Sequence, residues 1–122
     1  MSMIDMIELT MPWPPRVLLP NVKSHWAVKA RAVKQYREAC YFQALEQGAR
    51  GWTEDGLISF HLVFYPPDKR VRDDDGMISA FKHGRDGIAD ALKINDHRFR
   101  TTFDIAPTKG GMVKVVMRGI DA

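Results

Sequence analysis

The stretch LISFHLVFYPPDKRVRDDDGMISAF, residues 57–81, sets two periodicities side by side. Its first nine residues are rich in β-branched and aromatic side chains and run into Pro66 and Pro67, which cannot donate ladder hydrogen bonds. That composition predicts a mainly buried strand over 57–65, with His61 as a packed or edge-facing strand residue. Beyond the prolines, Ile78, Phe81, Ile88 and Leu92 fall at the spacing of one apolar helix face, with Asp74 placed to cap its first turn. Gly84 and Gly87 lower the helix propensity of this segment. Between strand and helix stand Asp73, Asp74 and Asp75, preceded by Lys69, Arg70 and Arg72. Neighbouring carboxylates repel one another, so a cation, a helix N-terminus or nearby basic groups must offset them.

The same reasoning extends towards both ends. IDMIELTM (4–11) alternates apolar and polar residues as a first strand, and Pro12, Pro14 and Pro15 predict extended or irregular chain from there to about residue 21. Ser24 then caps a long helix in which Ala30, Val33, Tyr36, Cys40 and Ala44 recur at three-to-four spacing until Gly48 stops it. RFRTTFDIAP (98–107) and GMVKVVMRGI (111–120) alternate as two strands of a terminal hairpin, joined through PTKGG (107–111) as a turn in which Gly110 and Gly111 take positive φ. The predicted order is β-α-β-α-β-β: one α+β domain spanning residues 1–122, a mixed sheet with two helices packed on one face.

With 45% hydrophobic and 27% charged residues, a chain of 122 residues is expected to be soluble and to bury its core without disulfides or structural metal. The single cysteine, Cys40, has no disulfide partner and no CxxC motif, which predicts a small core residue in a reducing compartment, the cytoplasm. MSMIDMIELTM carries Asp5 and Glu8 and lacks the basic start and apolar run of a signal peptide. No apolar run approaches the roughly 20 residues of a membrane span. The net charge of +3 leans towards a polyanionic partner, and its distribution says more. Between residues 16 and 50, Arg16, Lys23, Lys29, Arg31, Lys34, Arg37 and Arg50 are opposed only by Glu38 and Glu46. This basic half is either a solvated helix face or a nucleic-acid contact.

If the chain is extended as it leaves the second strand, Asp73 and Asp75 project to one side while Asp74 points away. Two convergent carboxylates suit a hard divalent cation such as Mg²⁺, which in a nuclease activates water and stabilises the leaving oxygen. A third carboxylate commonly completes such a site, and Asp96 in KINDHRF (93–99), Asp86 and Asp90 are the candidates. Asp86 and Asp90, four apart, are expected to be a solvent-facing pair balanced by Arg85 and Lys93. Lys82, seven residues after Asp75, shares its helix face and either holds a phosphate or merely offsets the aspartates. His83 and His97 flank the region as ordinary surface residues or as bases. Three aspartates before a helix also cap one without catalysing anything.

Taken in order, MPWPP (11–15), RVRDDDGMISAF (70–81), DAL (90–92), ND (95–96) and PTKGG resemble the RusA-like Holliday junction resolvases, small endodeoxyribonucleases of bacteria and their phages. The resemblance implies a homodimeric enzyme, dependent on Mg²⁺ or Mn²⁺, that nicks four-way DNA junctions symmetrically. It places the metal-binding carboxylates at Asp73, Asp75 and Asp96. The family's catalytic lysine falls on Ser79, so Lys82 is the nearest basic substitute, followed by Arg85. Gly76 stands where the family usually has asparagine. On this reading Lys29, Arg31, Lys34, Arg37, Arg70, Arg72 and Lys109 contact DNA phosphates. Trp26 and Tyr36 either stack on an unpaired base or anchor the core or a dimer interface. The alternatives are a DNA-binding or accessory relative without turnover and a general metal-dependent nuclease.

Overall fold

A computed structural model of the chain describes residues 6–52, 54–70 and 72–120. Strand β1 (Met6–Pro12) leads through a short 3-10 turn into helix α1 (Trp26–Glu46). Strand β2 (Ile58–Tyr65), helix α2 (Asp74–Leu92) and strands β3 (Phe99–Ile105) and β4 (Met112–Gly119) follow in the expected order. Ile4, the first apolar position of the predicted opening strand, lies outside the described residues. The four strands form one mixed sheet in the order β1-β4-β2-β3.

That order corrects the terminal hairpin. β3 pairs parallel with β2, whereas β4 pairs antiparallel with both β2 and β1. The cause is the α2 crossover: a strand that returns through a helix lies parallel to its predecessor, which fills one side of β2. β4 therefore takes the other side, and the segment after β3 bridges the end of β2. The N–H groups of Ala106, Gly110 and Gly111 donate to the carbonyls of Phe64, Pro66 and Tyr65 at 2.9, 2.9 and 2.7 Å. Of the two glycines only Gly111 takes positive φ, at 71°.

Every second residue of β2 from Ile58 to Phe64 is fully buried, as are Leu9 and Met11 of β1 and Val113, Val115 and Met117 of β4. These side chains share one face of the sheet, and the helices cover it with Tyr36, Cys40 and Ala44 of α1 and Met77, Phe81 and Ile88 of α2. Burial pushes the Cys40 thiol up to about 12, which keeps it protonated and unreactive. Pro12 closes β1 within the strand rather than before it, tolerated because β1 is a sheet edge.

Helix α1 is capped by His25, whose Nδ1 accepts from the Ala27 N–H at 3.2 Å, and not by Ser24. Its first turns overrun the core, leaving Trp26 and Ala30 exposed and Val33 half-buried. Farther along, α1 and α2 approach closely at the two glycines that weaken the helix pattern. A Cβ at Gly87 would lie 2.3 Å from the Arg37 carbonyl oxygen, and one at Gly84 3.0 Å from Cys40 Sγ and from a Tyr36 ring carbon. The Arg37 fork then ties the helices together, donating to both carboxylate oxygens of Asp90 at 2.7 and 3.0 Å. Tyr36 is a core residue whose hydroxyl donates to the Pro12 carbonyl at 2.6 Å. No helix among the described residues is long and apolar enough to cross a membrane.

Candidate active site on helix α2

The three aspartates sit at the start of α2, with Asp73 as the N-cap residue and Asp74 and Asp75 in the first turn. The unpaired N–H groups and dipole of the helix N-terminus offset their charge. The preceding arginines are occupied elsewhere. Asp68 accepts from the Arg70 backbone N–H at 2.9 Å and pairs with the guanidinium groups of Arg70 and Arg72 at 3.3 and 2.9 Å. The backbone bond from Arg70, followed by the hydrogen bond from Arg72, holds the Asp68 carboxyl below its ordinary range. Sequence reasoning passed over Asp68, although its i, i+2 and i, i+4 spacing to two arginines was the available signal.

Because the helix begins at Asp74, the extended geometry that would align Asp73 with Asp75 does not exist. Residues two apart around a 3.6-residue turn project about 200° apart. Asp73 opens onto a cleft of about 390 Å³ lined by Trp13, Arg16, Arg70 and Arg72. The Arg72 guanidinium lies 5.6 Å from the Trp13 ring centroid. Asp75 opens instead onto a second pocket, also of about 390 Å³, shared with Ser79, Lys82, Arg85 and Thr101. Lys82 thus stands on the face of Asp75, as the seven-residue spacing predicts.

Asp96 belongs to a third arrangement. Arg85 donates through Nη2 to the Asp96 carbonyl at 2.9 Å and lies 3.8 Å from its carboxylate. The Arg85 Nε–H is buried without a hydrogen-bond partner among the described residues, and the guanidinium carbon lies 5.6 Å from the Phe99 ring centroid. Asp90 faces solvent as expected but is balanced by Arg37 rather than by Arg85 or Lys93, while Asp86 is half-buried near Asp96. No group of three His, Cys, Asp or Glu side chains among the described residues is placed to hold a metal ion. Asp73, Asp75 and Asp96 do not meet, so this donor set does not fit the divalent cation that the resemblance implies, and the chemistry below rests on the protein's own side chains.

Of the cations assigned to DNA, Arg31 and Lys34 are exposed on α1, Lys109 is exposed between β3 and β4, and Lys29 is half-buried. Arg37, Arg70 and Arg72 each stand in an ion pair, with the Arg37 and Arg70 side chains still largely exposed. The His83 imidazole has its pKa lowered first by burial, opposed by Asp86, and further by Lys82, Lys29 and Arg37. Lys82, Lys29 and Arg37 thus lie around His83 across α1 and α2, with Asp86 and the Asp90 partner of Arg37 among them. Trp26 is 76% exposed and stacks on His25, whereas Tyr36 is buried in the core.

Two measurable consequences follow from this geometry. A Cβ at Gly76 meets only ordinary contacts, Leu19 at 3.5 Å and Asp73 at 3.6 and 3.7 Å, and the residue's φ is not positive. Gly76→Ala is therefore expected to stabilise the fold by about 0.5–1 kcal/mol, raising Tm by about 2–4 °C in a thermal melt. Desolvation, and then the charge of Asp96 and the hydrogen bond to it, raise the Asp86 pKa against the pull of Arg37. A raised carboxyl pKa means the folded state binds more protons than the unfolded, so this contribution falls as pH rises from the unfolded value through the folded one. Asp86→Asn is expected to raise Tm at pH 7, with the gain shrinking as pH is lowered through the raised folded value and gone below the unfolded carboxylate value.

No known protein-family model matches the chain. A protein of Xylella fastidiosa, described as an uncharacterized protein, is 44% identical over 97 residues, covering 78% of this chain and 63% of that one. The chain thus spans under two thirds of that relative's length.

Proposed function

We propose that the protein is a structure-selective endonuclease acting on branched DNA, of the Holliday junction resolvase type its motifs resemble, with its reaction centre in the second pocket of α2. The observation that carries this reading is the sharing of one pocket by Asp75, Ser79, Lys82 and Arg85. Lys82, exposed at the pocket, takes a non-bridging oxygen of the phosphodiester, and the charge of Arg85 in the same lining adds to its pull. Asp75 takes a proton from the water that adds to phosphorus, and Lys82 gives one to the 3′ oxygen as the P–O3′ bond breaks. Arg31 and Lys34 hold the flanking backbone, which positions DNA without reading its sequence. Two copies of the chain match the two cuts of a junction with two-fold symmetry.

The test is incubation of a synthetic four-way junction, and of a linear duplex of the same sequence, with Mg²⁺ and separately with chelator. Paired nicks in the junction alone, with chelator as with Mg²⁺, are the expected result, since the reaction centre rests on the protein's own side chains. The separation of Asp73 from Asp75 favours a second reading, a DNA-binding relative without turnover. That reading predicts salt-dependent junction binding that survives Asp73→Asn and no nicks in either condition.

A further inference from the structure

We propose that β3 is the edge through which two copies of this chain join, pairing antiparallel about Thr102 so that one sheet continues across a two-fold axis. The proposal rests on the dimer contained in the reading above and names its surface. Among the described residues β3 ends the sheet, and its outer backbone groups face no other strand. Phe99, Thr101, Phe103 and Ile105 point to the helix side, opposite Ile58, Phe60, Leu62 and Phe64 of β2, while Arg100, Thr102 and Asp104 point to the open face. Ile105 is 40% exposed and Phe103 half-buried, so apolar surface lies uncovered along this edge.

Directly opposed residues of an antiparallel pair share a face, so only registers that match helix side to helix side are allowed. Centred on Thr102, the register engages all of β3 and sets Arg100 opposite Asp104 of the partner subunit, twice over by symmetry. It also sets Phe99 opposite Ile105 of the partner subunit, apolar against apolar, and Thr101 opposite Phe103 of the partner subunit, where the threonine methyl meets the ring. Centring on Thr101 puts Arg100 opposite threonine, and centring on Phe103 does the same to Asp104, so each loses the Arg100–Asp104 pairs. An edge strand protected against self-pairing carries charges that repel their own copies. This one carries one charge of each sign, equally spaced about its centre.

The charged groups are available for exchange. Arg100 Nη1 now donates to the carbonyls of His97 and Phe99 at 2.7 and 3.2 Å. The Asp104 side chain is 76% exposed and 3.2 Å from His61 Nε2, while His61 Nδ1 meets the Thr102 hydroxyl at 2.6 Å. Thr101 lines the pocket of Asp75 and Lys82, so the pairing brings Phe103 of the partner subunit to that pocket's rim. A second copy then supplies an apolar wall to each site.

The experiment measures mass in solution by light scattering for the wild type, Arg100→Asp, Asp104→Arg and the double exchange, together with disulfide trapping of Thr102→Cys. Expected are a dimeric wild type, at least about tenfold weaker association for each single reversal, restored association in the double exchange, and a linked dimer from Thr102→Cys under oxidation. The wild type, with Cys40 buried, gives no link. A dimer indifferent to both reversals and not trapped at residue 102 overturns the β3 surface and leaves the dimer reading standing. A wild type that stays monomeric at about 100 μM, well above the Kd of a stable dimer, overturns both, and the junction assay then decides the nuclease reading on its own.

Discussion

Gly87→Ala is expected to destabilise the fold by about 2–4 kcal/mol and to lower Tm by roughly 10 °C, a large effect for one methyl group. Ordinarily alanine in a helix interior is stabilising relative to glycine. Here the added carbon would sit 2.3 Å from the Arg37 carbonyl oxygen and 3.1 Å from the Tyr41 nitrogen, both backbone atoms that no rotamer change can move. The helices must separate, and that loosens the Arg37–Asp90 fork and the packing of Tyr36 on Phe81. Gly51→Ala is the control, since its Cβ meets nothing within 4 Å and its φ is not positive. A melt in which Gly87→Ala matches the wild type would show that the two helices pack less closely than described.

Asp75→Asn and Lys82→Ala are each expected to reduce junction cleavage at least about a hundredfold, the scale of losing one group aimed at transition-state charge. Junction binding by Asp75→Asn should persist or strengthen, because a negative charge beside a phosphate is removed. Both residues are exposed and neither side chain makes a hydrogen bond or ion pair among the described residues, so their Tm should stay near the wild type and separate lost chemistry from lost fold. Asp73→Asn acts in the other cleft, beside Arg70 and Arg72, and should change binding more than turnover. Single-turnover cleavage of a labelled junction, read beside a gel-shift titration, distinguishes these outcomes. Undiminished cleavage by Asp75→Asn would remove the second pocket as the reaction centre.

Element order was legible because apolar periodicity is a local signal: the run from Ile58 to Phe64 and the spacing of Phe81 and Ile88 each report a buried face. Strand neighbours were not legible in the same way. PTKGG carries the residues of a tight turn, and only the parity set by the α2 crossover shows that it spans β2 instead of joining paired strands. The aspartates were misaligned for a related reason. The acidic run fits an extended chain and a helix start equally well, and moving the start to Asp74 turns Asp73 and Asp75 to different pockets. Gly84 and Gly87 weaken the helix pattern when only propensity is weighed. Their use is a contact with α1, which residues forty and more positions away in sequence determine.

The place of β4 has a consequence for how the protein is made. β1 and β2 never touch, and the strand that joins them is the last described, so the seven backbone partners of Met6–Pro12 do not exist until residues 112–118 have left the ribosome. During synthesis β1 is an unpaired apolar ribbon tethered to a partly assembled half formed by β2, α2 and β3. Assembly of the whole sheet accordingly waits for β4, and a chain stalled or truncated before it presents Leu9 and Met11 to chaperones rather than to its own core.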